Sequence, residues 1–233
     1  MLICAVESSA KAVSAAVIED GIVIGENFIN TNQTHSETLM PMLDNLLKTT
    51  GTAIKDIELF AVSKGPGSFT GIRIGISCIK GLAFPYDTPC LGVSTLEAIA
   101  QPICSLEGKT ICAVMDARRN QVYNAVFKAE AGKLHRLCDD RTISIEELHG
   151  EYKQLGNSLV LIGDGAELCY KTFKESGAVL ADETIRVQRA SSVGLLAEKI
   201  FEKSGGVTPA ELLPFYLRPS QAERERKEME DKI

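Results

Sequence analysis

Tryptophan is absent, histidine occurs only three times, and no two of the seven cysteines form a Cys-x-x-Cys. Each shortage excludes something. A structural zinc site needs closely spaced Cys and His pairs, and His35, His135 and His149 are far apart in the chain. None has a second His three to five positions away. An odd number of cysteines is a poor disulfide framework. Cys4, Cys78, Cys90, Cys104, Cys112, Cys138 and Cys169 lie mostly in apolar runs, where reduced, buried thiols are found. No run approaches the roughly 18–20 apolar residues needed to cross a bilayer. The start of the chain has no basic region of the secretory kind, and Glu7 breaks its first apolar run. Positive charge is also short. Lys and Arg number 25 against 31 Asp and Glu, a net charge of −6, which argues against a free-standing nucleic-acid binder. A cytoplasmic location is expected.

What is present has a clear order. The 233 residues are 45% hydrophobic, enough for one large or two small domains without staples. Leu2–Glu7 and Val13–Ile18 are apolar runs, and Asp20-Gly21 marks a two-residue hairpin turn into Ile22–Phe28. His35–Thr50 has helical spacing at Leu39, Leu43 and Leu46 and ends at Gly51. Ser36 is its candidate N-cap, and Glu37 lies beside the positive end of its dipole. A strand at Leu59–Ser63, a helix near Gly71–Ala83, a strand at Cys90–Val93 and a short helix from Ser94 or Thr95 follow. The order β-β-β-α-β-α-β-α implies a mixed sheet with helices on its faces. After a connector near Gln101–Lys109 the topology recurs without the sequence. Strands are expected at Thr110–Met115, Val122–Phe127 and Leu134–Cys138. Ser144 and Glu147 then open a helix as a capping box. A strand at Leu159–Ile162 and helices at Ala166–Ser176 and Ser191–Lys203 follow. The expected units are 1–104, 105–213 and a C-terminal segment, 214–233. In that last segment Glu223–Lys227 and Glu228–Lys232 are favourable helical pairs, and a solvated helix or frayed tail is expected.

The most informative stretch is Lys64-Gly-Pro-Gly-Ser-Phe-Thr-Gly-Ile-Arg-Ile-Gly75. It is a glycine loop between a strand and a helix. It is neither a Walker A motif nor a Gly-x-Gly-x-x-Gly. It reads as a tight turn capped by Ser68 or Thr70, or as a cradle for an anion. In the helix after it, Arg73, Ser77 and Lys80 form a polar stripe. Gly75 and Gly81 each cost about 1 kcal/mol relative to Ala in a helix interior. Close approach of a second helix, from this chain or a partner, is the expected reason, so both helices are expected at an oligomer interface. No Gly-x-Ser-x-Gly elbow is present, which argues against a serine hydrolase. Arg118 and Arg119 after Asp116 could hold an anion or pair with the acid.

Glu7-Ser8-Ser9, His35-Ser36-Glu37, Gly65–Gly75, Gly92–Ala98, Asp116–Arg119 and Tyr216-Leu-Arg218 together resemble, in order and over nearly the whole chain, the bacterial TsaB (YeaZ) family. The resemblance implies an α/β fold of the ASKHA (actin, Hsp70, sugar-kinase) type, two tandem RNase-H-like subdomains with mixed sheets. It implies a non-catalytic scaffold subunit in the making of tRNA threonylcarbamoyladenosine (t6A). Such a subunit pairs with the TsaD transferase, has the ATPase TsaE as a further partner, forms a homodimer when alone, and meets tRNA through the complex. ATP and a divalent metal are then expected in the partner subunits and no cofactor in this chain.

The expected partner and dimer surface comprises His35, Glu37, Leu39 and Leu43 on the first helix. On the second it comprises Phe69, Ile72, Arg73, Gly75, Ile76 and Ile79. TsaD carries a metal-binding His-x-x-x-His, whereas Leu39 stands four residues after His35 here. Candidate nucleotide-facing residues are Glu7, Ser8 and Ser9 with Gly65, Gly67 and Ser68. The family usually has Asp-Thr-Ser at the first of these, and the longer Glu7 carboxylate argues against nucleotide. A glycoprotease-like or ATP-dependent enzyme, including a small-molecule kinase of the same superfamily, is the alternative.

Overall fold

The computed structural model describes residues 1–218; the charged stretch after them, with its expected helical pairs, lies outside the described residues. Strands β1 (Leu2–Glu7), β2 (Val13–Glu19) and β3 (Ile22–Ile29) form the expected meander. Asp20 and Gly21 both take positive φ at its turn, the backbone that a two-residue hairpin requires. Then come α1 (His35–Thr50), β4 (Leu59–Gly65), α2 (Phe69–Ala83), β5 (Cys90–Ser94) and α3 (Thr95–Ala100). The five strands order as β3-β2-β1-β4-β5. β1 is antiparallel to β2 and parallel to β4.

The second half repeats this arrangement. It consists of β6 (Thr110–Asp116), β7 (Gln121–Glu130), β8 (Lys133–Ser144), α4 (Ile145–Tyr152), β9 (Leu159–Ile162), α5 (Ala166–Phe173), β10 (Val179–Leu180) and α6 (Ala190–Ser204). Its strand order, β10-β9-β6-β7-β8, matches the first sheet strand for strand. β8 runs six residues beyond the expected end at Cys138. Two residues of β10 are too few to leave a pattern.

Alternation in β1 explains the layers. Cys4 and Val6 face α1 and α2, while Ile3 and Ala5 face α6. With both faces covered, the strand reads as an almost unbroken apolar run. The helix assignments correct the expected domain boundary. α6 does not stay with the second unit. Its Val193, Leu196 and Ala197 pack on the first sheet against Ile3, Ile18 and Leu59. Conversely, Leu96, Ile99 and Ala100 of α3 pack on the second sheet against Ile111, Ala113 and Phe127. The apolar stripe of each helix is complementary to the other unit's sheet, so the division at 105–213 is not a packing boundary.

Helix ends follow local chemistry. Ser68, Ser94 and Ser144 cap α2, α3 and α4, the last as a reciprocal box with Glu147. Gly51 closes α1 in the left-handed conformation. Ser36 is not a cap, because α1 begins at His35 after Thr34 and has no side-chain cap bond. α6 is capped from across the sheet. The Ser14 hydroxyl accepts from the Ala190 N–H at 2.8 Å, and Glu26 Oε1 accepts from the Ser191 N–H at 2.9 Å. All seven cysteines are free, and Cys4, Cys90, Cys112 and Cys169 are buried. Among the described residues no helix is long and apolar enough to cross a membrane.

Candidate functional site: a cleft between the units and a groove on two helices

The β1–β2 loop and the glycine loop close onto each other. Glu7 is buried at the end of β1. Its Oε1 accepts from the N–H and the hydroxyl of Ser9 at 2.6 and 2.5 Å, and its Oε2 accepts from the Ser63 hydroxyl. Burial raises this carboxyl above the usual range, although those three bonds and the nearby His35 pull it down. The Ser8 hydroxyl donates to the Gly71 carbonyl at 2.9 Å. The Ser9 carbonyl accepts from the Ser68 N–H at 2.6 Å. A Cβ at Gly67, Gly71 or Gly75 would come closer than 3.0 Å to Ser8 or Ser9. The glycines at 67, 71 and 75 therefore form a bare rail along which Ser8 and Ser9 lie. This corrects the expected reason for Gly75, since no second helix approaches it. Nothing lies within 4 Å of a Cβ at Gly81.

These loops form one wall of a cleft of about 430 Å³ between the units. Of the candidate nucleotide-facing residues, Ser9, Gly67 and Ser68 line it, with Lys11 beside them. Glu7, Ser8 and Gly65 do not; their polar groups and backbone are spent on the clamp and on a contact with Phe215. The opposite wall is Asp116, Arg118, Tyr123 and Asp164, with Arg218 from the C-terminal segment. Asp116 ends β6 as Glu7 ends β1. Gly163-Asp164-Gly165 occupies the place of the first unit's glycine loop. Asp164 is exposed at the cleft surface, yet protein crowds its carboxyl on the other sides. That crowding, then the charges of Asp116 and Glu7, push its carboxyl up to about 6, although Gln188 donates to it at 3.2 Å.

Arg118, Arg119 and Asn120 all take positive φ, 66°, 54° and 59°. Successive left-handed residues cost roughly 1–2 kcal/mol each for non-glycine side chains, so this turn needs holding. Asp116 accepts from the Arg118 N–H at 2.7 Å and pairs with its guanidinium at 3.3 Å. Of the two readings of Arg118, the structure gives the pairing with Asp116. Asn120 donates to Glu146 at 2.6 Å.

The second feature is a groove of about 610 Å³ between α1 and α2. His35, Phe69 and Arg73, three of the residues expected at a partner surface, line it, and Leu39 lies at its floor. Glu37 is exposed at the start of α1. The rest of the expected surface is corrected. Leu39 and Leu43 are buried on the side of α1 that faces β2 and β3, and Ile72, Gly75, Ile76 and Ile79 on the side of α2 that faces β4; apart from the edge of Leu39 at the groove floor, none is open to a partner without unpacking this chain. The outward residues are instead Met40, Ile74, Ser77 and Cys78, with the Met40 and Cys78 sulfurs 3.1 Å apart. Helical periodicity carries that information. Positions 70, 73, 74, 77 and 78 share the face opposite 72, 75, 76 and 79.

His35 Nε2 lies 2.7 Å from the Ala10 carbonyl. A carbonyl accepts only, so Nε2 carries the proton and Nδ1 is left buried without a partner. A third depression, lined by Gln33 and Thr34 among others, shares His35 and Ile74 with the groove and Lys11 and Ser68 with the cleft. Among the described residues no group of three or more His, Cys, Asp and Glu is placed to hold a metal.

Two like α/β units with a cleft between their β-hairpin and glycine loops make an ASKHA-type fold. The likeness extends to an activator of 2-hydroxyisocaproyl-CoA dehydratase from Clostridium difficile (TM-score 0.50, 13% identity, covering 88% of this chain and 97% of that one), which shows the fold alone. A protein from Pseudomonas aeruginosa described as similar to peptidase YEAZ is nearer, with a TM-score of 0.80 and 26% identity over 93% of this chain and 99% of that one. The family model described as TsaD, tRNA N6-adenosine threonylcarbamoyltransferase, matches residues 23–225. The tRNA threonylcarbamoyladenosine biosynthesis protein TsaB of Escherichia coli is 34% identical over 224 residues, 95% of this chain and 96% of that protein. The chain belongs to the TsaB family.

Proposed function

We propose that this chain serves t6A formation as a non-catalytic scaffold. It seats a TsaD-type transferase on the α1–α2 groove and leaves the chemistry to that partner. One observation carries the reading. The outward face of α1 and α2 offers Met40, Phe69 and Ile74 around an open groove, while Leu39, at the place of a second metal-binding His, points into the core. Met and aromatic side chains are enriched at the centres of protein interfaces. The groove also serves self-association when the partner is absent. A TsaE-type ATPase is a further partner, tRNA is met through the complex, and ATP and a divalent metal belong to the other subunits. The setting is the cytoplasm.

Glu7 is engaged by three internal donors, so it is not free to act as an acid or base on a substrate. The test is co-purification with a TsaD-type protein, with wild type and with Ile74→Asp. Capture by the wild type and loss in a folded variant supports the reading. Reproducible peptide hydrolysis or ATP turnover by the isolated chain overturns it.

A further inference from the structure

The segment 207–218 is attached at six places along its length, and the scaffold reading does not account for why it is held so. Val207 exchanges two backbone hydrogen bonds with Cys90 at 2.8 and 2.9 Å, extending the first sheet beyond β5. Lys80 donates to the carbonyls of Ala210 and Leu212 at 3.1 and 3.2 Å. Leu212 is buried in the first core, and the Phe215 N–H donates to the Lys64 carbonyl at 2.7 Å. Tyr216 stacks on Phe69 with ring centroids 4.6 Å apart, and its hydroxyl accepts from Arg73 Nε at 2.9 Å. Two residues on, Arg218 has crossed to the other unit. It donates to the Ala117 carbonyl at 2.9 Å and to Gln121.

The last two attachments matter most. Phe69 and Arg73 line the α1–α2 groove. Ala117 and Gln121 flank the left-handed turn at the cleft mouth and bond to each other across it, the Ala117 N–H to the Gln121 carbonyl at 3.0 Å. One short, extended piece of chain therefore touches the groove wall with Tyr216 and the strained turn with Arg218. A turn of unfavourable backbone conformation is stable only while its surroundings hold it. Arg218 is part of that hold.

We propose that segment 207–218 is a strap that couples the groove to the cleft. It fixes the first turn of α2 and the turn of residues 118–120 in one joint arrangement, so a partner seated in the groove alters the cleft mouth and an occupant of the cleft alters the groove. The coupling is reciprocal by linkage. It rests on the scaffold reading only for the identity of the partner; the strap itself is a property of the isolated chain.

Hydrogen–deuterium exchange on the isolated full chain tests it. Tyr216→Ala removes the groove attachment, and exchange at the Ala117 and Gln121 amides, in the other unit, is expected to rise about fivefold or more. Arg218→Met removes the cleft attachment, and exchange at Gly71 and Ile72 is expected to rise likewise. If each variant disturbs only its own end, the strap does not couple the two and the proposal is overturned. Should Tyr216→Ala fail to fold, Tyr216→Phe and Arg218→Lys carry the same crossed readouts, with smaller rises expected. Added TsaD-type partner should slow exchange at Ala117 and Gln121 in the wild type but not in Arg218→Met; equal slowing in both contradicts the strap. Absence of any binding would sink the scaffold reading, while exchange in the isolated chain still decides the strap.

Discussion

Ser8 lies against Gly71 so closely that its hydroxyl bonds the Gly71 carbonyl at 2.9 Å while its own carbonyl occupies the space a Gly71 side chain would need. The most distinctive motif of the sequence is thus explained by a contact inside the chain. Gly71→Ala should force the β1–β2 loop off the helix and destabilise the fold by about 1–3 kcal/mol, the range for overpacking. Gly81, in the same helix, meets nothing. Gly81→Ala should stabilise by up to about 1 kcal/mol through helix propensity. Denaturant melts of the two variants should move in opposite directions.

The N-terminus of α6 depends on β2 and β3 for its caps. Glu26→Ala removes the acceptor for the Ser191 N–H and the partner of Arg189. A loss of about 1–2 kcal/mol is expected. Glu26→Gln keeps an acceptor oxygen and should lose less. Equal losses in thermal melts would contradict the cap.

Asp164 gives the stability a pH dependence of defined sign. Its carboxyl is raised from an ordinary 3.8 to about 6. Between those values the folded chain binds the proton more tightly than the unfolded chain, so this group's contribution falls as pH rises through the window. Asp164→Asn keeps an acceptor for Gln188 and cannot ionise. Its Tm relative to wild type should improve from pH 4 to pH 7. A constant difference across that range would remove Asp164 as the cause.

The corrected groove makes a prediction that separates outer from inner residues. Met40→Asp and Ile74→Asp should abolish self-association or partner capture with little loss of stability, because Met40 is 48% exposed and Ile74 lines the groove. Ile72→Asp and Ile79→Asp should instead unfold the chain, since both are fully buried. Sizing and circular dichroism on the four variants distinguish the two classes.

Much of this architecture is legible in the residues. Asp20-Gly21, Gly51, and Ser144 with Glu147 mark their turn and helix ends because capping and left-handed turns depend on a few neighbouring atoms. The doubled topology follows from apolar runs and their spacing. The destination of α6 is not legible, because an apolar stripe marks the side of a helix that packs but not which sheet it packs on. The burial of more than half the expected partner surface is not legible for a related reason. Apolar spacing identifies the side of a helix that packs, and Ile72, Ile76 and Ile79 pack on this chain's own strands. Asp164 and Arg218 reach the cleft only through contacts between residues about fifty to a hundred apart, which no local pattern shows. Tyr216-Leu-Arg218 was visible as a motif, but its two anchors lie in different units.

The exchange of α3 and α6 between the sheets has a consequence for how the molecule comes into being. Each sheet is covered on one side by a helix encoded with the other, so neither half has a complete core by itself. A chain ending at residue 104 would leave Ile3, Ile18 and Leu59 facing water where α6 should lie. Synthesis therefore cannot finish one half before the other: the amino-terminal sheet waits, unsealed, until residue 204 has emerged, and the protein is made as a single cooperative object rather than as two modules in a row.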